Sequence, residues 1–246
     1  MTLAGKKVLI TGGGTGVGAD LAVGFAKQGA TVLICGRRKE PLDATQGKHQ
    51  GITLALCDIT DEASVMDLFQ KNGPFDIVIA NAGQAGSSPF AKTTLAQWNN
   101  LLAVNLTGTF LVFREALVRM KGWGRLISIC STAGLKGYAR VAPYAAAKHG
   151  VVGLTRSLAL EVSSRPITVN AICPGFLDTE MTQESIQTIV AKTGRSAAEA
   201  RAALEAFNPQ NRLFQPSEVT ATALWLCSEG AEGVNGQAIS ISGGEI

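Results

Sequence analysis

The sequence is poor in the features that mark several protein classes. Only 17% of its 246 residues are charged, and the formal net charge is +3. Those charges form no dense Lys/Arg run, so neither nucleic acid nor an anionic membrane is indicated as a partner. Histidine is scarce: His49 and His149 stand far apart with no acidic cluster beside them, which argues against a metal site. The five cysteines, Cys35, Cys57, Cys130, Cys173 and Cys227, are odd in number and lack CxxC spacing. Buried reduced thiols in a reducing compartment are expected, not disulfides. No apolar run approaches the about twenty residues a membrane span needs, and residues 1–7 enter a strand without an apolar signal core. A soluble cytoplasmic protein is the expectation.

Apolar residues and glycine are plentiful. Hydrophobic residues make up 46% of the chain, which speaks against disorder. The 28 glycines follow no collagen-like period and collect at the ends of apolar runs, where tight turns fall. Residues 7–11 (KVLIT) read as a buried strand, 12–18 as a glycine turn, 19–28 as an amphipathic helix and 31–35 (TVLIC) as a second strand. That is a βαβ unit. Further strands are predicted at 52–57, 75–80, 125–130, 167–173 and 238–241. Helices are predicted over 62–71 with Thr60 as N-cap, over 95–120 in two parts, and over 143–163 and 216–228. Strands nearly all separated by helices predict one α/β domain over 1–246, a doubly wound parallel sheet of seven strands with helices on both faces. Residues 177–212 are too long for an ordinary αβ connection, and 194–206 read as helix. An excursion from the carboxyl end of a strand is where a small helical lid over substrate is expected.

The turn Thr11-Gly12-Gly13-Gly14-Thr15-Gly16-Val17-Gly18 lies between strand and helix. Glycines there let backbone approach a pyrophosphate, and the helix N-terminus offers amide donors. The spacing fits TGxxxGxG better than GxGxxG. A dinucleotide is therefore the leading ligand. An NAD site places an acid after the second strand to bind ribose hydroxyls. This chain has Cys35-Gly36-Arg37-Arg38 instead. Two cations there suit a 2′-phosphate, so NADP(H) is expected over NAD(H), unless both arginines only cap the turn in solvent. Asp58 is placed to meet an adenine amino group, and Asn81-Ala82-Gly83 is small enough to pass a ribose. Asn105 stands in a helical stretch against its propensity, which points to a task or to a buried structural amide.

Ser131, Tyr144 and Lys148 come next. Tyr144 and Lys148, at i and i+4, share a helix face. An ammonium near a phenol lowers its pKa from about 10 toward the working pH, as proton transfer requires. Alone the spacing is common.

In this order, and with Pro174-Gly175 and Thr179 after them, these motifs resemble the short-chain dehydrogenase/reductase family in its short single-domain form, over essentially the whole chain. The resemblance implies a Rossmann-type fold and hydride transfer between NADP(H) and a ketone or secondary alcohol, as in carbonyl and 3-oxoacyl reductases. An NAD-dependent 3-hydroxybutyrate or 3-hydroxyacyl dehydrogenase is the alternative. A non-catalytic dinucleotide-binding protein on the same fold would be free to lose the catalytic residues. By resemblance those are Asn105, Ser131, Tyr144 and Lys148. Tyr144 is the general acid or base, Ser131 binds the substrate oxygen, Lys148 holds the nicotinamide ribose, and Asn105 anchors a water in a proton relay. Gly12, Gly14, Thr15, Gly16, Val17, Gly18, Asp58, Ile59, Asn81, Ala82 and Gly83 would contact the cofactor. Pro174, Gly175, Phe176 and Thr179 would meet its nicotinamide end. Thr15 stands where many NADP-using members carry a base, which leaves phosphate preference to Arg37 and Arg38. Gln84, Ser131, Tyr144, Phe176 and Met181, with Ser87, Ser88 and Phe90 nearby, suggest a mixed pocket for a ketone of modest size. A homotetramer or homodimer, built partly on residues 236–246, is likewise implied.

Overall fold

The structure, a computed structural model, describes residues 2–246. Its seven strands are β1 (Lys7–Thr11), β2 (Thr31–Gly36), β3 (Ile52–Leu56), β4 (Ile77–Ala80), β5 (Gly124–Ile129), β6 (Ile167–Pro174) and β7 (Ala238–Ile241). They form one sheet in the order β3-β2-β1-β4-β5-β6-β7, and every neighbouring pair is parallel. Parallel neighbours need crossovers, which put helices on both faces. The central strands are accordingly apolar without alternation: Val8 to Ile10 and Ile77 to Ile79 are all fully buried. Each such side chain contributes roughly 1.5–3 kcal/mol on burial, so two-sided cover of the sheet dominates stability.

On one face lie α1 (Gly16–Lys27) and α9 (Pro216–Leu226), with Leu21, Phe25, Val219 and Ala223 packed on Val8, Ile10, Ile34 and Ile79. The short helix α2 (Lys39–Gln46) follows β2. On the other face α3 (Glu62–Asn72) and α5 (Gly108–Arg119) set Leu68, Phe69, Val112 and Phe113 on Leu9, Val78 and Leu126. Helix α6 (Ala142–Glu161) packs on β6, and α4 (Leu95–Leu102) packs on α6. All five cysteines are free and buried.

Several boundaries differ from expectation. Helix α1 begins at Gly16, so the last glycines of the turn are already helical. The N-cap of α3 is Asp61, not Thr60: Asp61 is extended and accepts from Ala63 N at 3.0 Å, while the Thr60 hydroxyl turns back to Asp58. Helix α2 (KEPLDATQ) went unrecognised, since Pro41 and few apolar residues hide its period. The stretch predicted in two parts is α4 and α5 joined through a π-helical turn, Ala103–Thr107. Taken as one helix, Leu95–Arg119 contains an 18-residue stretch with a mean hydropathy of 1.5, enough by length and composition to cross a membrane. That stretch is 56% buried inside the protein, as in a core helix, and polar residues interrupt it.

The excursion after β6 holds two helices, α7 (Glu180–Thr193) and α8 (Ala197–Glu205), of which only the second was expected. They close on their own small core of Ile186, Ala200, Leu204 and Leu213, with Phe176, Ile189 and Val190 against it.

Candidate functional site

The cleft runs along the carboxyl ends of the strands, centred where strand order reverses between β1 and β4. Gly12 has φ 65°, a left-handed conformation that a side chain resists. A Cβ there would stand 2.8 Å from Ala82 Cα, and one on Gly18 would fall onto the Gly12 carbonyl oxygen, well inside contact distance. Thr15 is the N-cap of α1, makes no capping hydrogen bond, and no acid occupies the first turn. The helix N-terminus is therefore left open to an anion. Gly14 accepts from Thr45 Oγ1 at 3.1 Å and packs on Pro41. Val17 packs against the core beneath.

Thr11 lashes β1 to β4. Its Oγ1 accepts from Asn81 N and Ala82 N, both at 3.0 Å. The Asn81 side chain returns the bond, with Nδ2 donating to Thr11 O at 2.9 Å and Gly12 O at 3.1 Å. Asn81 thus shapes the turn from beneath. Sequence reading missed the role of Thr11: its place before the glycines says nothing of a partner 70 residues away.

Arg37 and Arg38 leave β2 into solvent, both exposed. Asp58 accepts from Thr60 N at 2.9 Å and Thr60 Oγ1 at 2.7 Å. Those bonds, the backbone one first, hold its carboxyl below the usual range, and Arg37 adds to the effect. Arg37 and Asp58 therefore share one end of the cleft. The Ile59 side chain is buried against Gly108, which leaves only its backbone to face the cleft.

At the other end, Asn105 is 1% exposed and sits in the π-helical turn. Its Nδ2 donates to Leu101 O at 3.0 Å and Gln84 O at 2.9 Å, and its Oδ1 accepts from Gln84 N at 3.1 Å. Such single π turns cluster at functional sites. Lys148, 4% exposed on α6, donates from Nζ to Ile129 O at 2.9 Å, which compensates a buried ammonium. That ammonium is 5.6 Å from the centre of the Tyr144 ring. A Cβ on Gly83 would stand 3.0 Å from Asn105 Oδ1 and 3.7 Å from Lys148 Nζ, so amide and ammonium face each other across that glycine. Ser131 caps a short 3-10 turn, Thr132–Gly134, its Oγ accepting from Ala133 N at 3.1 Å. Its own hydroxyl proton stays available to donate.

Pro174 ends β6, and Gly175 N donates to Ile241 O at 3.0 Å. The Thr179 methyl would lie 3.4 Å from a Cβ on Gly16, so Thr179 closes over the glycine turn. The expected substrate residues divide. Gln84, Ser87 and Ser88 line a cavity of about 250 Å³ with Thr93, Gln97 and Asn100. Phe176 and Met181 lie outside it, on the side of α7 and α8, and Phe90 is exposed. Among the described residues no group of three His, Cys, Asp or Glu is placed to hold a metal ion.

A crevice at the strand-order reversal, with a glycine turn at its middle and Asn, Ser, Tyr and Lys at one end, has known counterparts. Residues 6–190 match the family model described as short chain dehydrogenase, and the chain belongs to that family of oxidoreductases. It is 34% identical to the 3-oxoacyl-(acyl-carrier-protein) reductase of Aquifex aeolicus, over 98% of each chain. It is also 34% identical to the D-beta-hydroxybutyrate dehydrogenase of Cupriavidus necator, over 99% of each. Among solved structures, a variant actinorhodin polyketide ketoreductase with NADPH superposes with a TM-score of 0.91 at 34% identity, covering 98% of this chain and 97% of that one.

Proposed function

We propose that this protein is an NADPH-dependent reductase of a ketone or 3-oxoacyl compound. What supports the reading is the nearness of Lys148 to the Tyr144 ring, to Asn105 at Gly83 and to the end of β5 that leads into Ser131, with Arg37 and Arg38 and no acid after β2. The ketoreductase that shares the fold was solved with NADPH, which supports the cofactor choice.

The residues fit the cofactor. The Gly12–Gly18 turn and the open N-terminus of α1 would hold the pyrophosphate. Arg37 and Arg38 would take the 2′-phosphate, Asp58 the adenine, and Lys148 the nicotinamide ribose. Bound NADPH supplies the hydride to the carbonyl carbon. Ser131 Oγ donates to the carbonyl oxygen and orients it, and the Tyr144 hydroxyl gives that oxygen its proton. The Lys148 ammonium steadies the negative charge left on the Tyr144 oxygen. Asn105, facing Lys148 across Gly83, anchors the path by which the proton is replaced. Pro174 to Phe176 and Thr179 bound the nicotinamide end. The 177–212 excursion acts as the substrate lid, with Met181 on its first helix and Phe176 against its small core, on a single domain spanning 1–246. The working form is a cytoplasmic homotetramer or homodimer.

Arg37→Ala tests the cofactor half. Losing a charge-assisted contact should raise the NADPH dissociation constant about tenfold or more. NADH affinity should change by less than about twofold, read by titrating cofactor fluorescence. Equal losses for both would move the reading to an NAD-dependent alcohol dehydrogenase.

A further inference from the structure

Glu245 occupies an unusual place for a carboxylate. It is the penultimate residue, yet its side chain is only 5% exposed. Burying a charge is costly unless partners surround it. Lys136 Nζ lies 2.7 Å from Oε1, and the Tyr138 hydroxyl lies 2.6 Å from the same oxygen. A Cβ on Gly175 would stand 3.6 Å from Oε2. Tyr138 also touches Thr132 Oγ1 at 2.7 Å. A phenol has one proton, and the carboxylate can only accept. Tyr138 therefore donates to Glu245, and Thr132 donates to Tyr138. Burial, and after it the Glu245 carboxylate, push the Tyr138 phenol up, so it remains a donor.

The carboxylate is delivered by a built hook. Gly243 and Gly244 have φ of 62° and 95° and turn the chain back on itself. Glu245 N donates to Ser242 O at 3.1 Å, and Ile246 N to Ser242 Oγ at 3.3 Å. At the other end of the chain of bonds, Thr132 directly follows Ser131. The Tyr138 ring meets Phe207 edge-on at 5.7 Å, and Phe207 lies 5.5 Å from Phe176. One carboxylate thus joins the segment between Ser131 and Tyr144, the backbone at Gly175 and the far end of the lid.

We propose that Glu245 is a positioning residue of the substrate site: through Tyr138 and Thr132 it fixes the segment between Ser131 and Tyr144, and through the Tyr138 ring it sets the Phe207–Phe176 wall. The tail then serves its own chain's site, in addition to any subunit contact it makes. The consequence for substrate rests on the reductase reading; the structural claim does not.

Glu245→Gln keeps the size and removes the charge, and Tyr138→Phe keeps the ring and removes the hydroxyl. In cofactor-free enzyme either change should speed hydrogen exchange across residues 132–140 about tenfold, with the sheet still protected. With ethyl acetoacetate as probe, either should raise KM about tenfold, while kcat and NADPH affinity stay within about twofold. The double variant should be no worse than either single, since both break one unit. Unchanged exchange, or losses that add in the double variant, would overturn the proposal. If the wild-type enzyme reduces no ketone, the reductase reading fails, and exchange at 132–140 still decides the brace.

Discussion

The glycine turn and the lid are built on opposite principles. At the turn, backbone stands against backbone: Gly12 faces Ala82 Cα, Gly18 faces the Gly12 carbonyl, and Thr11 and Asn81 exchange hydrogen bonds across two strands. No side chain fits on Gly12 or Gly18, and glycine is forced at both. The lid has its own small core, and its polar links are on the surface, such as Arg201 with Asp178 and Glu205. Exposed ion pairs of that kind contribute little, and many sequences could supply them. On the proposed reading the cofactor would meet rigid geometry that dictates residue type, while the substrate would meet a part free to vary.

Two glycine substitutions sharpen that contrast. Gly18→Ala should be the more damaging. Its methyl would strike the Gly12 carbonyl, and neither backbone segment has room to give. A loss of more than about 3 kcal/mol is expected, with NADPH binding abolished in whatever folds, read by thermal melting and fluorescence titration. Gly194→Ala, between α7 and α8, should be mild. Gly194 has φ 71°, and nothing lies within 4 Å of its added Cβ. Only backbone strain remains, about 1 kcal/mol, with NADPH affinity unchanged. A Gly194 variant as damaging as the Gly18 one would erase the distinction.

The same contrast explains what the sequence disclosed. The strand–turn–helix alternation follows from buried parallel strands and from glycines at their ends, so all seven strands were legible, β7 to the residue. Asn105 was legible because an amide in a helix is out of place; that it sits in a π turn and binds Gln84 was not, since the bond spans 21 residues. Helix α7 was hidden by threonines and glutamines that suit a loop as well. Glu245 was invisible for a plainer reason. Nothing in Gly-Gly-Glu-Ile marks a carboxylate that folds back on Tyr138, and only the left-handed glycines before it make that return possible.

Thr11, Asn105 and Glu245 show one pattern: each acts through a group far away in sequence. Local motifs mark the residues proposed to meet the cofactor, and long-range hydrogen bonds decide where such residues stand. The proposed proton donor is nevertheless found by local pattern: Tyr144 would give the carbonyl oxygen its proton, at the end of a cleft that would bind the cofactor without it. The most direct measurement is NADPH oxidation by Tyr144→Phe with a reducible ketone, beside NADPH titration of the same variant. Removing a general acid should lower kcat at least about a hundredfold, while the NADPH dissociation constant stays within about twofold. Turnover retained near the wild-type rate would contradict the account.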